Sequence, residues 1–155
     1  WITQINFRKV NIMKKIARNN LADLPYSLHD GAIINFEPLG DTLVLRFLDG
    51  FTETIEPFAQ ISGHIKFENV DWDFSFAYIL EYPDVLCGNE GDFTGQKMGL
   101  KKFANEFKQA KFDVVDETYG YNTSKFDGYL SAAGSLKECR VEIYHLGAMS
   151  YIIKD

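Results

Sequence analysis

From Leu28 onward the chain is cut into short apolar or alternating runs by closely spaced turn residues, and this punctuation points to antiparallel β-structure. Parallel strands would need long helical crossovers between the breaks, which the pattern does not provide. Residues 32–37 read as a first strand, closed by Pro38-Leu39-Gly40-Asp41. Residues 42–48 follow, and Asp49-Gly50 offers the left-handed turn of a two-residue hairpin leading into residues 51–55. In residues 64–70, Ile65 and Phe67 share one face while His64, Lys66 and Glu68 share the other, as in a half-exposed strand. Residues 74–82 are apolar on both faces and read as a central strand covered twice. Four further strands are expected over residues 113–121, 126–132, 136–145 and 149–154, with turns at Gly134-Ser135 and Gly147-Ala148.

The period changes once. Between residues 95 and 112, Leu100, Phe103, Ala104, Phe107 and Ala110 recur at helical spacing with Lys and Glu between them. A helix of this length is not stable alone in water, so its aromatic stripe must lie on a sheet. The expected fold is mainly β or α+β: a twisted antiparallel sheet of about eight to nine strands, as a sandwich or partly closed barrel, with one amphipathic helix docked on it. No linker or internal repeat divides the chain, so residues 1–155 read as one domain. Met13-Lys14-Lys15 resembles a natural beginning, which makes residues 1–12 a candidate extension.

Composition narrows the functional classes. Sixteen basic against twenty-two acidic residues give a net charge of -6, which disfavours nucleic acid and anionic membranes and suits a basic protein partner. No apolar run approaches the roughly 20 residues of a membrane-spanning helix, and no secretory signal is visible, so a cytoplasmic location is expected. Cys87 and Cys139 stand apart from any metal or redox spacing and read as free thiols in or near the core. His29, His64 and His145 lack the spacing of a metal site, and no metal or other cofactor is expected. His29-Asp30-Gly31 reads instead as the turn that opens the first strand, with Asp30 bonding nearby amides.

Charge is segregated along the chain. Residues 68–92 hold seven acidic and no basic residues; residues 93–111 hold five lysines and Glu106. The plain explanation is two solvated faces that pair weakly with each other. The functional one is an acidic surface steering a basic partner to Asp71, Trp72 and Asp73, with Trp72 as anchor. A second candidate is a cleft gathering Glu117, Tyr119, Glu142 and His145, with Glu117 and Glu142 as a carboxylate pair of the kind glycoside hydrolysis requires. Paired carboxylates opposite Lys or Tyr are also ordinary in sheets. Asp116 and Glu117, adjacent on a strand, face opposite sides unless a bulge intervenes. Neither a nucleophile elbow nor a phosphate-binding loop is present, and the stretch from Gly95 to Gly99 reads as the entry to the helix.

Leu28-His29-Asp30-Gly31, Gly40-Asp41-Thr42-Leu43-Val44-Leu45, Asp49-Gly50-Phe51 and Glu142-Ile143-Tyr144-His145 resemble segments of small bacterial β-rich domains, some of them grouped with immunity proteins of toxin systems. The resemblance implies a small cytoplasmic protein and assigns no residue a role. Three functions stay open at the level of sequence: a non-enzymatic binding domain, a small-ligand binder or hydrolase, and a self-associating structural domain that forms a homodimer.

Overall fold

A computed structural model describes residues 24–83 and 91–153. The strands are β1 (Tyr26–Ser27), β2 (Ala32–Leu39), β3 (Thr42–Phe47), β4 (Phe51–Glu53), β5 (Gln60–Ile61), β6 (Gly63–Phe67), β7 (Phe76–Glu81) and β8 (Thr94–Gly99). After the helix α1 (Leu100–Glu106) come β9 (Lys111–Gly120), β10 (Thr123–Ala132), β11 (Ser135–Tyr144) and β12 (Met149–Ile153). Nine strands form one antiparallel sheet in the order β12-β6-β3-β2-β9-β10-β11-β7-β8, and β1-β4-β5 form a small second sheet. The large sheet is not closed into a barrel. The mainly β, α+β reading of the sequence therefore stands.

Three tight hairpins organise the large sheet. Leu39 pairs with Thr42, Gly120 with Thr123, and Ala132 with Ser135, each across a two-residue loop. Ala133 and Gly134 both have positive φ, the backbone that matches the right-handed twist of the flanking strands. The hairpin expected at Asp49-Gly50 does not form. Both edges of β3 are taken, by β2 and β6, so β4 leaves the large sheet and pairs with β1 and β5. The His29-Asp30-Gly31 turn does open β2, with Asp30 at φ 64 and its amide donating to the Val114 carbonyl at 2.9 Å. The Asp30 carboxylate lies beside His29.

The helix is shorter than its periodicity suggests. Gly95 to Gly99 belong to β8, which hydrogen-bonds along the free edge of β7 from Phe76↔Gly99 to Glu81↔Thr94. α1 then begins at Leu100, whose amide donates to the Ser75 carbonyl at 3.0 Å. Phe107 and Ala110 continue the apolar stripe beyond the helix and still pack on the core. Phe103 is fully buried, its ring 5.2 Å from Phe36 and 5.1 Å from Phe107. The core continues through Phe112, Phe126 and Phe67 as one contiguous cluster. β7 is covered on one face only: Ala77 and Ile79 are buried, whereas Phe76, Tyr78 and Leu80 are half-exposed on the other face. Lys97 lies over that side, its ammonium 3.9 Å from the Phe76 ring centroid. No helix among the described residues is long and apolar enough to cross a membrane.

Cys139 is a free, buried thiol on β11; Cys87 and residues 1–12 lie outside the described residues. Burial, with the Asp127 carboxylate nearby, pushes the Cys139 thiol up to about 12 from its ordinary 9.0. An unfolded chain would release this proton earlier than the folded one, so the stability contribution is complete below pH 9.0 and is lost as pH rises towards about 12. Urea unfolding followed from neutral pH to strongly alkaline pH should therefore show a decline that is shallower for Cys139→Ala than for the parent chain.

Candidate functional site

The connections β2–β3, β6–β7, β9–β10 and β11–β12 meet at one end of the large sheet. Backbone hydrogen bonds fasten them to one another. Val70 donates to Asp41 O at 2.7 Å, Leu146 to Asn69 O at 2.9 Å, and Gly147 to Glu68 O at 3.0 Å. Asp71 donates to Tyr144 O at 2.9 Å and His145 to Asn122 O at 3.0 Å. Ser75, fully buried, donates from Oγ to Asp71 O at 2.7 Å and accepts from the Tyr144 amide at 3.0 Å. Connections are usually the least ordered part of a small domain, but here these hydrogen bonds tie the connections to one another.

This end of the sheet presents Asp71, Trp72 and Asp73. The Trp72 indole N–H donates to Gly40 O at 2.9 Å, which fixes the ring, and the Lys101 ammonium from α1 lies 4.8 Å from the ring centroid. Asp71 Oδ1 accepts from the Asp73 amide at 3.0 Å. With Asp41, Asn69, Val70 and Leu146 these residues line an open groove of about 500 Å³. Leu146, which lines it, is 65% exposed, and in the adjoining connections Phe74 is 65% and Tyr121 93% exposed.

Glu37, Glu68, Glu81, Asp113, Asp127 and Glu142 each have a Lys or Arg partner. Among the described residues, Asp41, Asp71 and Asp73 have no cation within 4.0 Å. The acidic and basic sequence blocks do not neutralise one another through ion pairs among the described residues: Glu68 pairs with Lys66 and Glu81 with Lys137, while Lys101 and Lys97 lie on aromatic rings. Sequence reasoning named Asp71, Trp72 and Asp73 but not Asp41, Leu146 and Lys101, which only the chain topology brings beside them.

The second candidate group does not form one cleft. A bulge at Val115, where the β9–β10 register steps from Asp127↔Asp116 to Gly128↔Val114, shifts the alternation of β9. Glu117 and Tyr119 then continue the core-facing side, opposite Phe126 and Ser124. Glu142 lies opposite Lys125 on the other face, where it is paired with Lys125 at 3.1 Å and accepts from Tyr78 OH at 3.3 Å. The Glu117–Glu142 pair is thus split across the sheet, and two carboxylates on opposite faces cannot flank one glycosidic bond.

Glu117 and Tyr119 are structural partners. Glu117 Oε1 accepts from the Leu28 amide at 2.9 Å and Oε2 from Tyr119 OH at 2.6 Å. Burial and this carboxylate hold the Tyr119 phenol far above its ordinary range, so it stays a neutral donor. Replacing Glu117 by Ala leaves a peptide N–H and a phenol without their acceptor and is expected to cost about 2 kcal/mol in urea unfolding.

His145 is half-buried and hydrogen-bonded through both ring nitrogens. Its Nδ1 lies 2.9 Å from Gly147 O, a group that only accepts, so Nδ1 carries the proton and Nε2 receives the Ser124 hydroxyl at 3.0 Å. Ser124 is 2% exposed, which withholds this Ser–His pair from substrate. Among the described residues no three His, Cys, Asp or Glu side chains converge as a metal site would require.

No match to the chain is found among protein-family models, curated proteins or solved structures.

Proposed function

We propose that the chain is a non-enzymatic protein-binding domain whose loop end holds a basic partner. The observation that carries this reading is the coincidence, at one end of the sheet, of carboxylates without a cation partner among the described residues, a hydrogen-bonded indole and exposed apolar side chains. Buried aromatic anchors supply most of the affinity in protein interfaces, and surrounding charges supply steering and selectivity. A net charge of -6 favours approach of a cationic protein from a distance. An immunity-type role, in which a small cytoplasmic bacterial protein masks a basic toxin, is the form of this function that the resemblance of the Leu28-His29-Asp30-Gly31 and Glu142-Ile143-Tyr144-His145 segments favours.

Affinity capture from cells that express the protein tests the proposal. The parent chain should retain a basic protein that is released at about 1 M salt, where the Debye length is about 3 Å. The Asp71→Lys/Asp73→Lys variant, equally folded by circular dichroism, should bind that protein at least about tenfold more weakly, or 1.4 kcal/mol. A captured partner that is indifferent to both salt and charge reversal would count against the loop end. Light scattering that shows a second copy as the bound species would favour a self-associating domain instead.

A further inference from the structure

We propose that Lys101 is an internal stand-in for an arginine of the partner, and that the face of Trp72 together with Asp71 and Asp73 is a guanidinium-binding site. This inference rests on the protein-binding reading of the loop end and names the chemical group bound there.

The arrangement around Trp72 carries it. The indole is held by its hydrogen bond to Gly40 O, so the ring face keeps one orientation whether or not a cation lies on it. That face already holds an ammonium, at 4.8 Å from the centroid, within the range of a favourable cation–π contact. Lys101 itself is solvent-exposed on α1, so its flexible stem can swing into water. Its ammonium lies over the ring and makes no ion pair with the unpaired carboxylates that line the same groove. A guanidinium would satisfy both at once: its plane stacks on the indole while its N–H groups point outward in the ring plane, towards carboxylates at the rim. An ammonium, a point donor on a single stem, meets one of these demands at a time.

Lys97 lies on Phe76 and Tyr78 on the other face of the sheet, where the neighbouring Glu142 and Asp127 are joined to Lys125 and Arg140. The Trp72 groove differs in that none of Asp41, Asp71 and Asp73 is so joined among the described residues.

The test uses the full chain with Trp1→Phe, which leaves Trp72 as its single tryptophan. Its fluorescence is titrated at low salt with N-acetyl-triarginine amide and, as a neutral control of the same shape, the tricitrulline analogue. Triarginine should give a saturable change and tricitrulline none. In the Lys101→Met variant triarginine should bind about two- to fivefold more tightly, because a competing cation has been removed from the ring. Asp71→Asn/Asp73→Asn should weaken it. Absence of a saturable triarginine response, an equal response to tricitrulline, or unchanged or weaker binding in Lys101→Met would overturn the proposal. If capture of the basic partner is still lost on charge reversal while Lys101→Met is neutral in the titration, the binding surface stands and the stand-in role alone fails.

Discussion

Phe103→Ala is expected to lower the free energy of unfolding by about 3–5 kcal/mol, read as a fall in the urea midpoint at unchanged slope. The ring is fully buried and packs against Phe36 and Phe107. Its removal exposes no new surface to water and instead leaves a void in the core, so the surrounding side chains lose contacts they cannot regain by collapse. The effect is enlarged by the shortness of α1. Seven residues make too few internal hydrogen bonds to hold a helix, which therefore depends on Leu100, Phe103 and Ala104 for its place. Lys102→Ala, on the exposed side of the same helix, removes only a weak contact to Glu106 and is expected to change stability by no more than about 0.5 kcal/mol. Similar losses for the two variants would mean that α1 is not seated on the sheet as described.

Gly50→Ala should be nearly as damaging, at roughly 3 kcal/mol, from left-handed strain and overpacking together. Gly50 has φ 85, and a Cβ there would come within 1.8 Å of the Ile61 carbonyl oxygen. The clash is with backbone, so no rotamer change relieves it. Gly40 offers a matched control, because it too has a positive φ of 64 but nothing lies within 4 Å of the added carbon. Gly40→Ala is expected to cost only the conformational part, about 1–2 kcal/mol. Thermal unfolding of the two variants side by side separates the cost of a close approach from the cost of a turn. Equal losses would contradict the packing of the Gly50 turn against β5 and its neighbouring residues.

Alternation and turn pairs made the strands legible before any coordinates. Ile65 and Phe67 are buried as their phase requires, and the turn expected at Gly134-Ser135 lies one residue earlier, at Ala133-Gly134, between β10 and β11. Pairing was less legible, because a turn residue bends the chain without choosing the strand it will lie against. Asp49-Gly50 shows this: the chain turns there, but β4 finds its partners in β1 and β5. β8 was read as helix because Thr94-Gly95-Gln96-Lys97 has no apolar alternation, and an edge strand needs only its backbone to pair with β7. Periodicity likewise overextended the helix, since Phe107 and Ala110 serve the core from a turn as well as they would from a helix.

The site divides in the same way. Asp71-Trp72-Asp73 is a local motif and was visible, whereas Asp41 and Leu146 are brought beside it by long-range pairing of the β6–β7 connection with two others. The Glu117–Glu142 pairing failed because one extra residue at Val115 inverts the parity on which any prediction of facing side chains depends. A bulge of this kind leaves no compositional trace in a strand that is polar after Val115.

Site-specific photo-crosslinking tests the loop-end surface most directly. With benzoylphenylalanine in place of Phe74 or Tyr121, 65% and 93% exposed, irradiation in cells that express the protein should join it to the same basic protein recovered by capture. The probe in place of Ile55, an equally accessible apolar residue at 75% in the β4–β5 connection, should give no such adduct. Crosslinking from Ile55 with none from Phe74 or Tyr121 would put the partner elsewhere on the molecule and contradict the account.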